Sequence, residues 1–172
     1  MVCRAGNAAP WCGRSIDEGR AVDQSEDRIL ADELAALGAV GGGSGRLVRM
    51  VAKLMRKDVH EIGLRVPLPF DDAVQRVSGV LGRAGRAVGT APVGSAEDVT
   101  IRVVASGGAA GLNPVVVTAR VLKADEDNSQ ILLRAAAKEG LIRQRAGEKT
   151  AVRLAARLSE ATGADEADGA GG

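Results

Sequence analysis

The sequence predicts an α+β domain, a two-layer sandwich in which two helices cover one face of a four-stranded antiparallel sheet. Four segments alternate apolar and polar residues as strands do, and two carry apolar residues at helical spacing. Short connections between the last three strands make those strands antiparallel neighbours. The predicted order is β-α-β-β-β-α, preceded by one or two N-terminal helices.

Residues 1–45 are predicted to be a disordered arm with a short helix and a Gly-rich linker. Ser25 is placed to cap a helix that begins at Glu26, where acidic residues in the first turn favour the helix dipole. Gly38 marks the end of this helix. The run Gly41 to Gly45 has the composition of a flexible linker.

Residues 46–58 are predicted to form a basic amphipathic helix. The segment holds five basic side chains and one acidic side chain. Its apolar residues recur at i, i+3, i+4 and i+7, and they are Leu47, Met50, Val51 and Leu54. Such a helix packs on its own domain, lies on an acidic membrane surface or docks in a groove. Packing is favoured, because no bulky aromatic side chain is available to anchor the helix in lipid.

The domain itself is predicted to span residues 59–161, followed by a disordered acidic tail at 162–172. In the first strand, residues 62–70, every even position is apolar. Its two prolines cannot donate to a ladder, so the later part of this strand either is an edge or ends the pairing. A helix capped by Asp71 and Asp72 follows. The remaining elements are three strands and a final helix, predicted over residues 99–106, 115–122, 131–137 and 148–158.

Composition narrows the classes of function. Trp11 and Phe70 are the only aromatic residues, so Ala, Val and Leu must fill the core. A structural metal site is not expected, because the chain has one histidine and two cysteines, Cys3 and Cys12, both in the arm. We predict no cofactor. No apolar stretch approaches the roughly 20 residues of a transmembrane helix, and no signal peptide is evident. The expected location is the cytoplasm.

No residue set predicts catalysis, and we expect a non-enzymatic domain. A Ser-His-Asp triad would have to use His60, and neither G-x-S-x-G nor S-x-x-K occurs. The Gly-rich loop that begins at Gly107 leads into a strand rather than a helix, which disfavours phosphate binding. The run from Asp125 resembles the start of a calcium loop, but Gln130 and Ala136 stand where Gly and Glu are needed. A hairpin turn is predicted there instead.

Basic side chains on and before the final helix are the candidate site. Arg145, Lys149, Arg153 and Arg157 repeat every four residues, which places them along one side of a helix. The alternative is a solvated outer face with no partner. The candidate anion-binding residues are Arg143, Arg145, Lys149 and Arg153.

Two short motifs resemble known families. The run Val66-Pro67-Leu68-Pro69, followed by Phe70 and a helix near Asp72, resembles the opening of START-like helix-grip (SRPBCC-type) domains. That resemblance implies a cavity for an apolar ligand between the sheet and the final helix. The segment from Glu148 to Leu158, with three strands before it, is similar to the last helix of double-stranded RNA-binding domains. This second resemblance implies that Arg145 and Lys149 contact RNA phosphates at the helix N-terminus.

Two hypotheses for function follow. The first is a binding module for a small apolar or amphipathic ligand, which requires an enclosed apolar pocket between the sheet and the final helix. The second is an interaction module for anionic partners, either RNA phosphates or an acidic protein, which requires the basic side chains to form one exposed patch. In either case the edge strand 62–70 offers a route to self-association if residues 46–57 leave it uncovered.

Overall fold

The structure is a computed structural model that describes residues 16–40, 42, 44–88, 93–95, 97–107, 113–140 and 144–166. Within these ranges the helices are α1 (Ile16–Val40), α2 (Gly45–Leu54), α3 (Phe70–Ala84) and α4 (Ala146–Thr162). The strands are β1 (Arg56–Val66), β2 (Gly85–Ala87), β3 (Val93–Ser95), β4 (Asp98–Gly107), β5 (Asn113–Lys123), β6 (Ser129–Glu139) and β7 (Asp165–Glu166).

The strands form one antiparallel sheet. Its order is β2-β4-β5-β6-β1-β7, and β3 also pairs with β4. The predicted α+β class and antiparallel sheet are confirmed, and the four long strands β1, β4, β5 and β6 correspond to the four that were predicted. The short strands β2, β3 and β7 were not predicted, because two or three residues are too few to show a period.

The main core lies between one face of the sheet and the helices α3 and α4. Inward-facing residues of β4, β5 and β6, such as Val103, Val117 and Leu133, join one apolar cluster with α3 and α4. Ala and Val supply 15 of its 22 buried residues. Because these side chains are short, the helices must approach the sheet closely to exclude water.

The opposite face of the sheet is covered by α1. Leu30 of α1 packs against Val116 and Ala136, which alternate with the residues of the main core. The two helices predicted on one face of the sheet are α3 and α4. A two-layer sandwich would leave the other face exposed to solvent, but α1 covers it. Where α1 crosses the sheet, the described structure has three layers.

The N-terminal helix is longer than predicted. Residues 16–24 were predicted to be disordered, but α1 begins at Ile16 and continues to Val40. Ser25 does not cap its start. The Ser25 hydroxyl instead donates to the Val22 carbonyl at 2.8 Å, within the helix, and accepts from Arg102 Nη1 at 2.9 Å. Part of the predicted arm, residues 1–15, lies outside the described residues.

The boundary between the basic helix and the first strand was also wrong. The helix predicted over 46–58 ends at Leu54, and β1 begins at Arg56 and ends at Val66 rather than at Phe70. The outer edge of β1 is paired, within the described residues, only at Leu64 and Arg65, where β7 joins it. Self-association through residues 62–70 stays a prediction.

The C-terminal tail, predicted to be disordered over 162–172, is ordered in its first part. Thr162 ends α4, and Asp165 and Glu166 form β7. Pairing with β1 supplies backbone partners that local composition does not reveal. Residues 167–172 lie outside the described residues.

The predicted hairpin turn joins β5 to β6. Asp125 Oδ1 accepts hydrogen bonds from the backbone N–H of Asp127 at 3.0 Å and of Asn128 at 2.8 Å. The Asn128 side-chain amide donates to the same carboxylate at 2.9 Å. These hydrogen bonds, that of the Asn128 side chain first, hold the pKa of Asp125 below its ordinary value.

Candidate functional site

The N-terminus of α4 is capped by two carboxylates that come from the sheet. The Ala146 N–H donates to Glu139 Oε1 at 3.1 Å, and the Gly147 N–H donates to Asp58 Oδ2 at 2.9 Å. The Glu148 N–H lies 3.3 Å from the same Asp58 oxygen. Protein carboxylates therefore already neutralise the positive end of the helix dipole. The backbone N–H groups that a phosphate could accept from are thus already used, and RNA contact by Arg145 and Lys149 stays a prediction.

The candidate basic residues fall into three groups. Lys149, Arg153 and Arg157 are exposed on the outer side of α4, and within the described residues no carboxylate pairs with them. Arg145 lies just before the helix in the left-handed region (φ 50°) and pairs with Glu148 at 3.4 Å. Arg143 lies outside the described residues. The structure thus brings together a row of three cations, Lys149, Arg153 and Arg157, which we call the α4 basic row.

Apolar side chains lie beside this row. Val152 is 53% exposed, and Ala156 is also exposed on the outer side of α4. Positive charge also lies at the C-terminal end of the helix, where Arg76 of α3 donates to the Ala161 carbonyl at 3.4 Å. The outer face of α4 therefore offers both positive charge and apolar contact area.

The inner side of α4 is filled by packing. Ala151, Leu154 and Leu158 are fully buried in the main core, and Ala155 is 6% exposed. These side chains occupy the position where the helix-grip resemblance implied a ligand cavity. The apolar-ligand hypothesis gains no supporting observation from the described residues, and it stays an untested prediction.

A buried ionic network joins α1 to the sheet, and the sequence did not predict it. Glu26 is fully buried and accepts from Arg134 Nε at 3.0 Å, while Lys57 Nζ lies 2.8 Å from its carboxylate. Arg134 also pairs with Glu61. Burial alone would lower the pKa of Arg134. The hydrogen bonds and charges of the two glutamates outweigh burial, so the pKa lies above its ordinary value. Asp27 completes the network by pairing with Lys138 at 2.8 Å.

An open groove of about 720 Å³ runs between α1 and α2. Its lining is mostly charged and consists of Asp27, Arg28, Ala31, Asp32, Arg49 and Lys53. The Arg49 guanidinium bridges the two helices by pairing with Asp32 at 2.8 Å. A groove with this lining does not suit the small apolar ligand of the first hypothesis.

Residues for metal binding or catalysis do not assemble in the described part of the chain. No group of three or more His, Cys, Asp or Glu side chains there is arranged to hold a metal ion. His60 is half-buried in β1, opposite Ala135 of β6. Cys3 and Cys12 lie outside the described residues. None of the described helices has the length and apolar character that crossing a membrane requires.

Comparisons with known proteins show a weak likeness to a solved structure. No family model matches the chain, and no curated protein matches it. Among solved structures, the crystal structure of Zhui aromatase/cyclase from Streptomyces sp. R1128 is similar to it with a TM-score of 0.34 and 14% sequence identity. The alignment covers 62% of this chain and 94% of that chain. At this score and identity the likeness implies nothing about activity, and the START-like resemblance stays a hypothesis.

Proposed function

We propose that the chain is a non-enzymatic interaction module that binds an acidic segment of a partner protein through the outer face of α4. The α4 basic row is the observation on which this proposal rests. Lys149, Arg153 and Arg157 are exposed, and within the described residues they lack carboxylate partners. Elsewhere in the fold, Arg49, Arg86, Arg120 and Arg134 are all paired with carboxylates.

The spacing of the row suits a helical partner. Residues four apart rise by about 6 Å along an α-helix and stay on nearly the same side. Carboxylates four residues apart on an acidic partner helix have the same spacing, so several pairs form at once. Val152 and Ala156 supply apolar contact beside the charges.

An acidic protein segment is favoured over RNA on two grounds. The helix N-terminus, where a phosphate would gain most from the dipole, is already occupied by Asp58 and Glu139. Among the described residues the only aromatic side chain is that of Phe70, which is buried at the start of α3, so this part of the chain offers no platform for stacked bases.

Fluorescence anisotropy tests the proposal with the full-length chain. The probe is a labelled amphipathic peptide with glutamates at i, i+4 and leucines beside them, and an RNA duplex of matched charge is titrated in parallel. The test variant is Lys149→Gln plus Arg153→Gln. The control variant, Arg83→Gln plus Lys123→Gln, removes the same charge from exposed positions elsewhere.

The peptide is expected to bind the wild type and the control variant equally and to bind more weakly as salt is raised. The test variant should bind about tenfold more weakly, from roughly 0.7 kcal/mol for each lost surface pair. Equal weakening in both variants would mean that only net charge matters, and the proposal would fail. If the wild type binds the RNA duplex but not the peptide, and the test variant loses RNA binding, the partner would be an RNA phosphate backbone rather than an acidic protein.

A further inference from the structure

The apolar side of α2 faces solvent. Leu47 is 61% exposed, Met50 60%, Val51 51% and Leu54 85%. We call these four residues the α2 apolar stripe. Large apolar side chains that lie together and exposed mark an interaction surface more often than chance exposure does. The packing of this helix on the domain, which the sequence favoured, therefore uses a different side of α2 from its main apolar stripe.

The opposite side of α2 fixes this orientation. Ala52 is 1% exposed, and Val48 is half-buried towards α1. The two helices approach so closely that a Cβ added at Gly38 of α1 would lie 2.6 Å from Val48 Cγ2. The salt bridge between Arg49 and Asp32 ties them further. The stripe cannot turn inward without breaking these contacts.

The end of α1 extends the apolar surface. Leu37 is 45% exposed and Val40 is 89% exposed. Both lie in the last turn of α1, next to the Gly38 contact with α2. Six large apolar side chains thus occupy two adjoining helical segments, which is more than isolated surface exposure explains.

Positive charge borders this surface. Gly45–Leu54 contains three basic residues and no acidic residue. At about 100° per residue, Arg46, Arg49 and Lys53 fall on one arc of α2, beside the stripe at Met50. Within the described residues, Arg46 and Lys53 have no carboxylate partner. Their long side chains can reach past the apolar stripe while keeping the charged ends in a polar layer.

We propose that α2 docks the protein on an anionic lipid bilayer, with the apolar stripe in the headgroup–acyl boundary and the basic arc against the headgroups. Charge complementarity decides the occupant. A second copy of the chain would bring the same unpaired cations, Arg46 and Lys53, to the interface, and like charges repel. An anionic bilayer supplies negative charge along the whole helix together with an apolar layer beneath it. The surface differs from the α4 basic row, so the two proposals fail independently.

Vesicle co-sedimentation of the full-length chain tests this proposal. The vesicles are phosphatidylcholine alone and phosphatidylcholine mixed with phosphatidylglycerol. One variant removes apolar contact, Leu47→Ser plus Leu54→Ser, and another removes charge, Arg46→Gln plus Lys53→Gln. The matched control is Arg83→Gln plus Lys123→Gln, which removes the same charge from exposed positions outside α2 and outside the α4 basic row. All substitutions are at exposed positions, and thermal denaturation verifies that the variants remain folded.

Wild type and control are expected to sediment with the mixed vesicles and far less with phosphatidylcholine alone. Each lost basic residue should lower the partition coefficient about fivefold, and each lost leucine about tenfold. Equal binding of wild type and charge variant, or no binding of wild type to mixed vesicles, would overturn the proposal. A concentration-dependent dimer that the leucine variant abolishes, without vesicle binding, would assign the stripe to a second copy instead.

Discussion

Glu26 joins α1 to the sheet, and its replacement by Gln is expected to destabilise the protein. Its carboxylate is fully buried and meets two cations, Arg134 and Lys57, whose side chains are 13% and 16% exposed. The Glu26→Gln change keeps the shape of the side chain but removes the negative charge. Two poorly solvated cations then lose their nearest partner.

The expected cost follows from what each cation retains. Removing one member of a buried ion pair typically costs about 3–5 kcal/mol. Arg134 keeps Glu61, and Lys57 keeps the more distant Asp27 at 3.8 Å. The loss should therefore lie near the lower end, about 3 kcal/mol, which lowers Tm by roughly 6–12 °C for a chain of this size.

Thermal denaturation and amide hydrogen exchange provide the assay. Glu33→Gln is the matched control, because Glu33 also lies on α1 and pairs with a sheet arginine, Arg86, which is 66% exposed. That exposed pair is worth about 0–1 kcal/mol. In the Glu26 variant, amides near Leu30 should exchange faster than those of β5, because α1 leaves the sheet before the core opens. Equal Tm losses in both variants would refute the role of the buried carboxylate.

Four further predictions concern single substitutions. Gly147→Ala should cost about 1–3 kcal/mol in urea denaturation, because a Cβ there would lie 2.8 Å from the Asp58 carbonyl oxygen. Gly82→Ala, with nothing within 4 Å of the added carbon, should instead stabilise α3 by about 1 kcal/mol. Arg145→Gly should raise the urea midpoint, because glycine adopts the left-handed backbone conformation at φ 50° without strain. The expected gain is about 1 kcal/mol, and a lower midpoint would contradict the presence of strain. Asp125→Ala should lower the free energy of unfolding by its full amount at pH values above 3.8, the ordinary pKa of this carboxyl. As the pH falls through the lowered pKa of the folded state, the stabilisation by Asp125 is lost, so the difference in stability between wild type and Asp125→Ala should close in acid.

The sequence predicted the central strands well and the first strand poorly, for a physical reason. In β4, β5 and β6 one face lies in the apolar core, so period-two alternation is visible. In β1, Lys57 and Glu61 on the outer side meet the charged residues under α1, and Asp58 on the inner side caps α4. Both faces of residues 56–61 are therefore polar, and the segment showed no strand period until Ile62.

The sequence could place side chains along a single helix, but it could not show where side chains from several elements meet. Anion binding by the candidate residues stays a prediction. The four-residue spacing of Lys149, Arg153 and Arg157 placed them on one side of α4, as the structure has them. The pairing of Glu26 with Arg134 joins residues 108 positions apart, and no local pattern predicts it. The exposure of the α2 apolar stripe was missed because its spacing predicts a buried side equally well.

The dominance of alanine and valine in the core has a consequence for how this protein tolerates mutation. In most protein cores, truncation of a buried leucine is the common severely destabilising substitution. At Ala119, Ala135 or Ala151 the side chain is a single methyl group, so truncation removes little apolar contact. Enlarging those same positions forces α3 and α4 away from the sheet, at a cost of about 1–3 kcal/mol for each added group. A deep mutational scan should therefore show an inverted profile at these alanines, with serine or glycine accepted and leucine or phenylalanine depleted. Such a chain is free to vary on its surfaces while the distance between its layers is held nearly constant.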